Sequence, residues 1–167
     1  GETIAETVLD KASGCFGCTI LCARTSSIKE GEYAGSKGEG PEYETTWSLG
    51  ACTGVSDLNA ITKAHYLGNE LGLDPISAGV TIACLMELYQ KGYVTDADIG
   101  DAPKPEFGNA KAIVEYTKLI AERKGIGDWM AEGATTLARR FGAPELAMCV
   151  KGQELPAYDP RGVQGHA

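Results

Sequence analysis

What these 167 residues lack narrows the field first. No apolar run approaches the roughly 20 residues needed to span a bilayer. No charged stretch leads into an apolar one in the manner of a secretory leader. Basic residues are in deficit: 15 Lys and Arg stand against 23 Asp and Glu, for a net charge of −8. A protein that tracks nucleic-acid phosphates needs the opposite balance, so nucleic acid is set aside as a partner. No internal repeat is visible, which sets aside solenoid architectures. The cysteines are not spaced as a disulfide framework spaces them, since three of the six crowd into one short run. That distribution points to a reducing cytoplasm.

The crowded run is Cys15-Phe16-Gly17-Cys18-Thr19-Ile20-Leu21-Cys22, with spacing C-x2-C-x3-C. Thiolates brought into a small volume suit a soft metal or an iron–sulfur cluster. Gly14 and Gly17 allow the tight backbone such a loop needs, and Arg24 places a positive charge beside an anionic centre. Zinc is the rival metal, but no downstream C-x2-C or C-x2-H pair supplies its second half. Radical-SAM centres show the reverse spacing, C-x3-C-x2-C. The plainer alternative is that these are small core residues, as free cysteines often are. Cys52, Cys84 and Cys149 lie singly among apolar neighbours and read that way.

Length and a mean hydropathy of −0.15 indicate one soluble globular domain with a real core. Its pattern is helical. A short amphipathic helix is expected over residues 2–11, then the cysteine loop, then a glycine-rich loop or weak hairpin over 26–40. Pro41 is placed in the first turn of a helix over 41–50. Ser56 is placed as the N-cap of a helix that Gly72 ends, and Asp74-Pro75 caps and opens the next, over 76–91. That helix is apolar on most sides and is expected to be the buried centre. A capped turn follows at 95–98, then a helix from Asn109 to Lys124 and one from Gly127 or Asp128 to Phe141. Pro144 opens a short helix or leads into a strand-like run over 146–150. The fold class expected is all-α: a multihelical domain with a cysteine-rich loop near its start. The domain is expected over residues 1–152. Residues 153–167 have no helical period and read as a connection cut mid-course, so a fragment of a longer chain is expected.

Two further stretches carry polar groups that bear on chemistry. Glu42 and Glu44 flank Tyr43, and at i and i+2 on a regular helix they point to different sides. Spacing alone favours acids that complement the positive helix end; the functional alternative is a general base. The stretch 69–74 (NELGLD) ends one helix and begins another. Its residues are explained by capping alone, or they grip a polar heterocycle. Of the two histidines, His65 reads as a packed helix residue and His166 as a solvated one.

Taken together, CFGCTILC, GPEYET (40–45), NELGLDPIS (69–77) and YDPRG (158–162) occur in the order found in the tungsten-containing aldehyde:ferredoxin oxidoreductases, which the chain resembles over nearly its whole length. The resemblance implies the first helical domain of such an enzyme plus the start of the link to its last domain. The family oxidises an aldehyde with water to a carboxylic acid and passes electrons to ferredoxin. Cys15, Cys18 and Cys22 resemble three ligands of its [4Fe–4S] cluster, the fourth coming from a C-terminal domain. Glu44, with Glu42 beside it, resembles the glutamate near tungsten, or molybdenum in its place. Asn69, Leu73 and Asp74 match the pterin-binding motif D-x-x-G-L-[CD], with Asn where the motif has Asp. The intersubunit iron that some members bind through E-x-x-H is not expected, because that motif is absent; a homodimer remains compatible. The segment alone is expected to be inactive. A stand-alone iron–sulfur or zinc module that uses the triplet plus Cys52 or Cys149 is the alternative.

Overall fold

The structure is a computed structural model that describes residues 2–158. It is mainly helical, as expected, with two small antiparallel sheets. Its centre is α4 (Pro75–Gln90), where Ile82, Leu85, Met86 and Leu88 are fully buried. Around α4 pack α3 (Leu58–Leu71), α6 (Ala110–Glu122) and α8 (Gly133–Arg140), and α3 lies along α6. Short helices α1 (Glu2–Thr7), α2 (Tyr43–Thr46), α5 (Asp96–Ile99) and α7 (Ile126–Met130) complete the body.

Local chemistry explains the helix ends. The Asp57 carboxylate accepts from the backbone N–H groups of Asn59 and Ala60, so Asp57 rather than Ser56 caps α3. Gly72 ends α3 in the left-handed conformation, at φ 73°. Thr95 and Asp98 form a reciprocal capping box on α5. The helix expected from 127 to 141 is broken in two: Gly133 takes φ 84°, and the buried Glu154 carboxylate accepts the Ala134 N–H at 2.9 Å. A residue twenty positions away has supplied that helix start, which no local pattern encodes.

The N-terminal end departs most from expectation. The helix expected over 2–11 stops at Thr7, and β1 (Leu9–Ser13) follows. β1 pairs antiparallel with β2 (Ala23–Ser27), which pairs with β3 (Lys37–Glu39). Cross-strand hydrogen bonds outweigh a local helical period only two turns long. Of the two expectations for 26–40, the hairpin is the one found: β2 and β3 pair antiparallel as the sheet's second half. The sheet is fastened to α3 by Tyr66, whose hydroxyl lies 2.6 Å from Ser26 Oγ, while Ser26 Oγ donates to the Gly40 carbonyl.

Pro41 follows a cis peptide bond and stands before the helix; Glu42 is the N-cap position and α2 begins at Tyr43. α2 runs into a π-helical turn, Trp47–Ala51. α4 approaches this turn so closely that a Cβ at Gly79 would lie 2.6 Å from the Ser48 backbone. At the other end, β4 (Cys149–Val150) and β5 (Gln153–Glu154) form a hairpin through a turn at residues 151 and 152. Of the YDPRG stretch only Tyr158 lies within the described residues, and His166 lies outside them. No helix among the described residues is long and apolar enough to cross a membrane.

Candidate functional site

The cysteine run is the loop that joins β1 to β2. Its backbone is wound by a Cys18 N–H to Cys15 carbonyl bond of 3.0 Å, with positive φ at Gly17 and Leu21. Cys15 and Cys22 are exposed and Cys18 half-buried, and all six cysteines of the chain are free. Phe16 is fully exposed and Ile20 is 79% exposed, so the apolar side chains of this loop face outward with the thiols.

The other three cysteines differ in environment. Burial pushes the Cys84 thiol up to about 12, and it also raises Cys52 and Cys149. Burial in apolar surroundings disfavours the thiolate, the form that binds metal. Cys52 and Cys84 line a separate apolar groove with Trp47, Leu146 and Tyr158. The donor set that suits iron and sulfide is therefore the loop triplet: accessible thiols on one short segment. Among the described residues, no group of three or more His, Cys, Asp or Glu side chains is gathered as a metal site. The loop supplies its donors side by side rather than already converged.

Arg24, the second residue of β2, connects this loop to the next feature. Its Nη1 donates to the Cys22 carbonyl at 3.3 Å and to Glu42 Oε2 at 3.0 Å. Both partners of the ion pair are more than a third exposed, so its worth is about 0–1 kcal/mol and its role is one of position. The Glu42 side chain makes no cap hydrogen bond to α2. It lines an open cavity of about 550 Å³ together with Glu39, His65, Asn69 and Leu73.

That cavity brings together Glu42 from the 40–45 stretch and Asn69 and Leu73 from the 69–74 stretch. It does not include Glu44. The two acids point apart, as their i, i+2 spacing implies, and Glu44 Oε2 accepts the Ala157 N–H at 2.9 Å, beside Tyr158. Asp74 is likewise elsewhere. Its carboxylate caps α4, accepting from Ile76 N–H at 3.1 Å, Ser77 N–H at 3.4 Å and Ser77 Oγ at 2.9 Å. Asp74 borders a smaller cavity of about 110 Å³, and Leu73 lines both.

His65 was legible only as a packed helix residue, and it is one, at 4% exposure. It is also part of the cavity wall. Its Nε2 lies 3.1 Å from Asn69 Nδ2, one helical turn along α3. Burial pulls the imidazolium down, partly offset by the Glu39 carbonyl and the Glu42 and Glu39 carboxylates. The i, i+4 spacing of His65 and Asn69 was the available signal. The Arg24–Glu42 contact, between residues 18 apart, carried none.

The family model described as aldehyde ferredoxin oxidoreductase, domains 2 and 3, matches residues 1–167. The chain is 47% identical over 167 residues to a tungsten-containing aldehyde ferredoxin oxidoreductase of Pyrococcus furiosus, covering 99% of this chain and 27% of that protein. It is 45% identical over 166 residues to the protein of the same description from Thermococcus kodakarensis, again 99% of this chain and 27% of the relative. An aliphatic sulfonate oxidoreductase, WOR-like subunit, of Pyrococcus furiosus is 33% identical over 152 residues, 87% of this chain and 24% of that one. Among solved structures, the active site complex BamBC of benzoyl coenzyme A reductase, in complex with 1,5-dienoyl-CoA, superposes with a TM-score of 0.76 at 25% identity. That match covers 92% of this chain and 22% of the other. The chain thus spans about a quarter of the length of the curated relatives it matches.

Proposed function

This chain belongs to the aldehyde ferredoxin oxidoreductase family, and from that premise we propose that it is the segment of such an oxidoreductase that joins an iron–sulfur centre to a tungsten–pterin site. The observation that carries the reading is the Arg24 side chain, which touches the cysteine loop at Cys22 and the polar cavity at Glu42. Two features far apart in sequence are thereby held next to one another.

In this reading Cys15, Cys18 and Cys22 hold a [4Fe–4S] cluster, with a fourth ligand from elsewhere in the longer protein. The thiol chemistry fits such a cluster. Because the donors are not already converged, part of the binding free energy goes into closing the loop, a coupling common in metal sites. Asn69 and Leu73 form pterin-contacting wall, and Asp74 holds the start of α4 against it. When bound, the tungsten–pterin, or a molybdenum counterpart, supplies the two-electron redox centre and the cluster an exit for electrons toward ferredoxin.

The chain's own acids divide the remaining work. A general base must keep an oxygen for the proton it takes. Both acids keep Oε1 by that measure, but Glu42 Oε2 is paired with the Arg24 cation, which makes Glu42 an anchor and a source of negative potential in the cavity. Glu44 accepts only a backbone N–H among its described hydrogen bonds, at the 155–158 segment, and is the better candidate to accept a proton as water adds to the aldehyde carbon. The reaction as a whole, aldehyde and water to carboxylic acid with two electrons to ferredoxin, belongs to the assembled enzyme. These 167 residues alone are inactive in this reading, since a catalytic site needs all its parts in register.

The test is made in the full-length enzyme. Glu44→Gln keeps shape and hydrogen bonding but cannot take the proton, and kcat is expected to fall about 10²-fold or more. Glu42→Gln is the matched control, with a smaller effect. Tungsten is measured beside the rate, because a variant that loses metal mimics a lost base. A large effect from Glu42 alone would move the role to the other carboxylate. Small effects from both would return the pair to helix-start acids.

A further inference from the structure

Neutral imidazole has one donor nitrogen and one acceptor nitrogen. An amide N–H can only donate, so the 3.1 Å contact of Asn69 Nδ2 with His65 Nε2 is a hydrogen bond in the tautomer that keeps the ring proton on Nδ1. That Nδ1 is buried and has no hydrogen-bond partner among the described residues. The ring's position is also tightly enforced. Gly40 lies so close that a Cβ there would come within 2.0 Å of Nε2, and the φ of Gly40, 92°, is one that other residues seldom adopt.

Asparagine has a single acceptor oxygen. Once Nδ2 is given to His65, Oδ1 is the atom left for the cavity that both residues line. We propose that His65 is a positioning residue: by accepting the Asn69 amide N–H it fixes the Asn69 carbonyl oxygen toward the cavity, as the acceptor for an N–H group of a bound pterin. The proposal rests on the reading of this cavity as the pterin site. It explains how a neutral amide serves where the motif has a carboxylate. A carboxylate is an acceptor in either orientation, whereas an amide must be held the right way round, and His65 holds it.

The measurement is pterin retained per chain in the full-length enzyme, read from the fluorescence of the oxidised pterin released after gel filtration. Thermal unfolding and iron content serve as controls on the fold. Asn69→Ala is expected to lower retained pterin about tenfold, the loss of one hydrogen bond. His65→Leu is expected to lower it by a similar factor. His65→Gln, which places an amide oxygen near the Nε2 position, is expected to hold nearly the full complement. In the double variant, His65→Leu is expected to cost nothing beyond Asn69→Ala. Separate, multiplying losses in the double variant would overturn the proposal, because His65 would then act on its own. Full pterin in His65→Leu would overturn it as well. If His65→Leu does not fold, the same comparison is made with His65→Asn, whose amide stops at the Nδ1 position and leaves Asn69 without its acceptor. An Asn69→Ala enzyme that keeps all its pterin is a different failure, since it overturns the reading of the cavity and not only the role of His65.

Discussion

The helical body and the cysteine hairpin are built on opposite terms. In α4 the large apolar side chains are enclosed by α3, α6 and α8, and the helix is stable on contacts that the chain itself provides. On the hairpin, Phe16, Ile20 and Leu21 face outward together with two of the three thiols. The difference separates two kinds of information in one sequence. Residues 58–140 specify a packed core. Residues 14–22 specify a set of thiols and apolar side chains that the body leaves largely exposed.

Substitutions can break that contrast or sharpen it. Leu85→Ala should show the largest effect on stability, about 4 kcal/mol by chemical denaturation, because Leu85 is fully enclosed and leaves a cavity. Gly40→Ala, where the sheet meets α3, should cost about 3 kcal/mol from left-handed backbone strain and overpacking against His65. Asp74→Ala should cost about 1 kcal/mol through loss of the α4 cap, and Asp74→Asn should recover most of it. Phe16→Ser should stay within about 0.5 kcal/mol of wild type, since nothing is lost from the core. A hairpin substitution that unfolded the body as Leu85→Ala does would erase the distinction.

Much of the body was legible because its signals are local. Asp74-Pro75, Gly72, the Thr95–Asp98 box and the Asn109 cap each act within one helical turn of where they stand. The N-terminal sheet was not, because a five-residue strand such as β1 is stabilised by a partner whose register lies in β2. The break before α8 was missed for a similar reason, being made by Glu154 from the far hairpin. The site divides in the same way. The cysteine spacing and the two polar stretches stood out as motifs. The divergence of Glu42 and Glu44 followed from their spacing, but the meeting of the motifs through Arg24 depends on a contact between residues 18 apart that no period reveals.

The claim at the centre is that the hairpin thiols, and not the buried cysteines, hold an iron–sulfur cluster. Iron and acid-labile sulfide per chain in the full-length enzyme test it most directly, with the cluster's reduced EPR signal, for Cys18→Ser against Cys52→Ser. A hydroxyl is a harder and poorer ligand for iron than a thiolate. Cys18→Ser is expected to lose iron, sulfide and signal, while Cys52→Ser keeps all three. An unchanged cluster in Cys18→Ser would contradict the assignment.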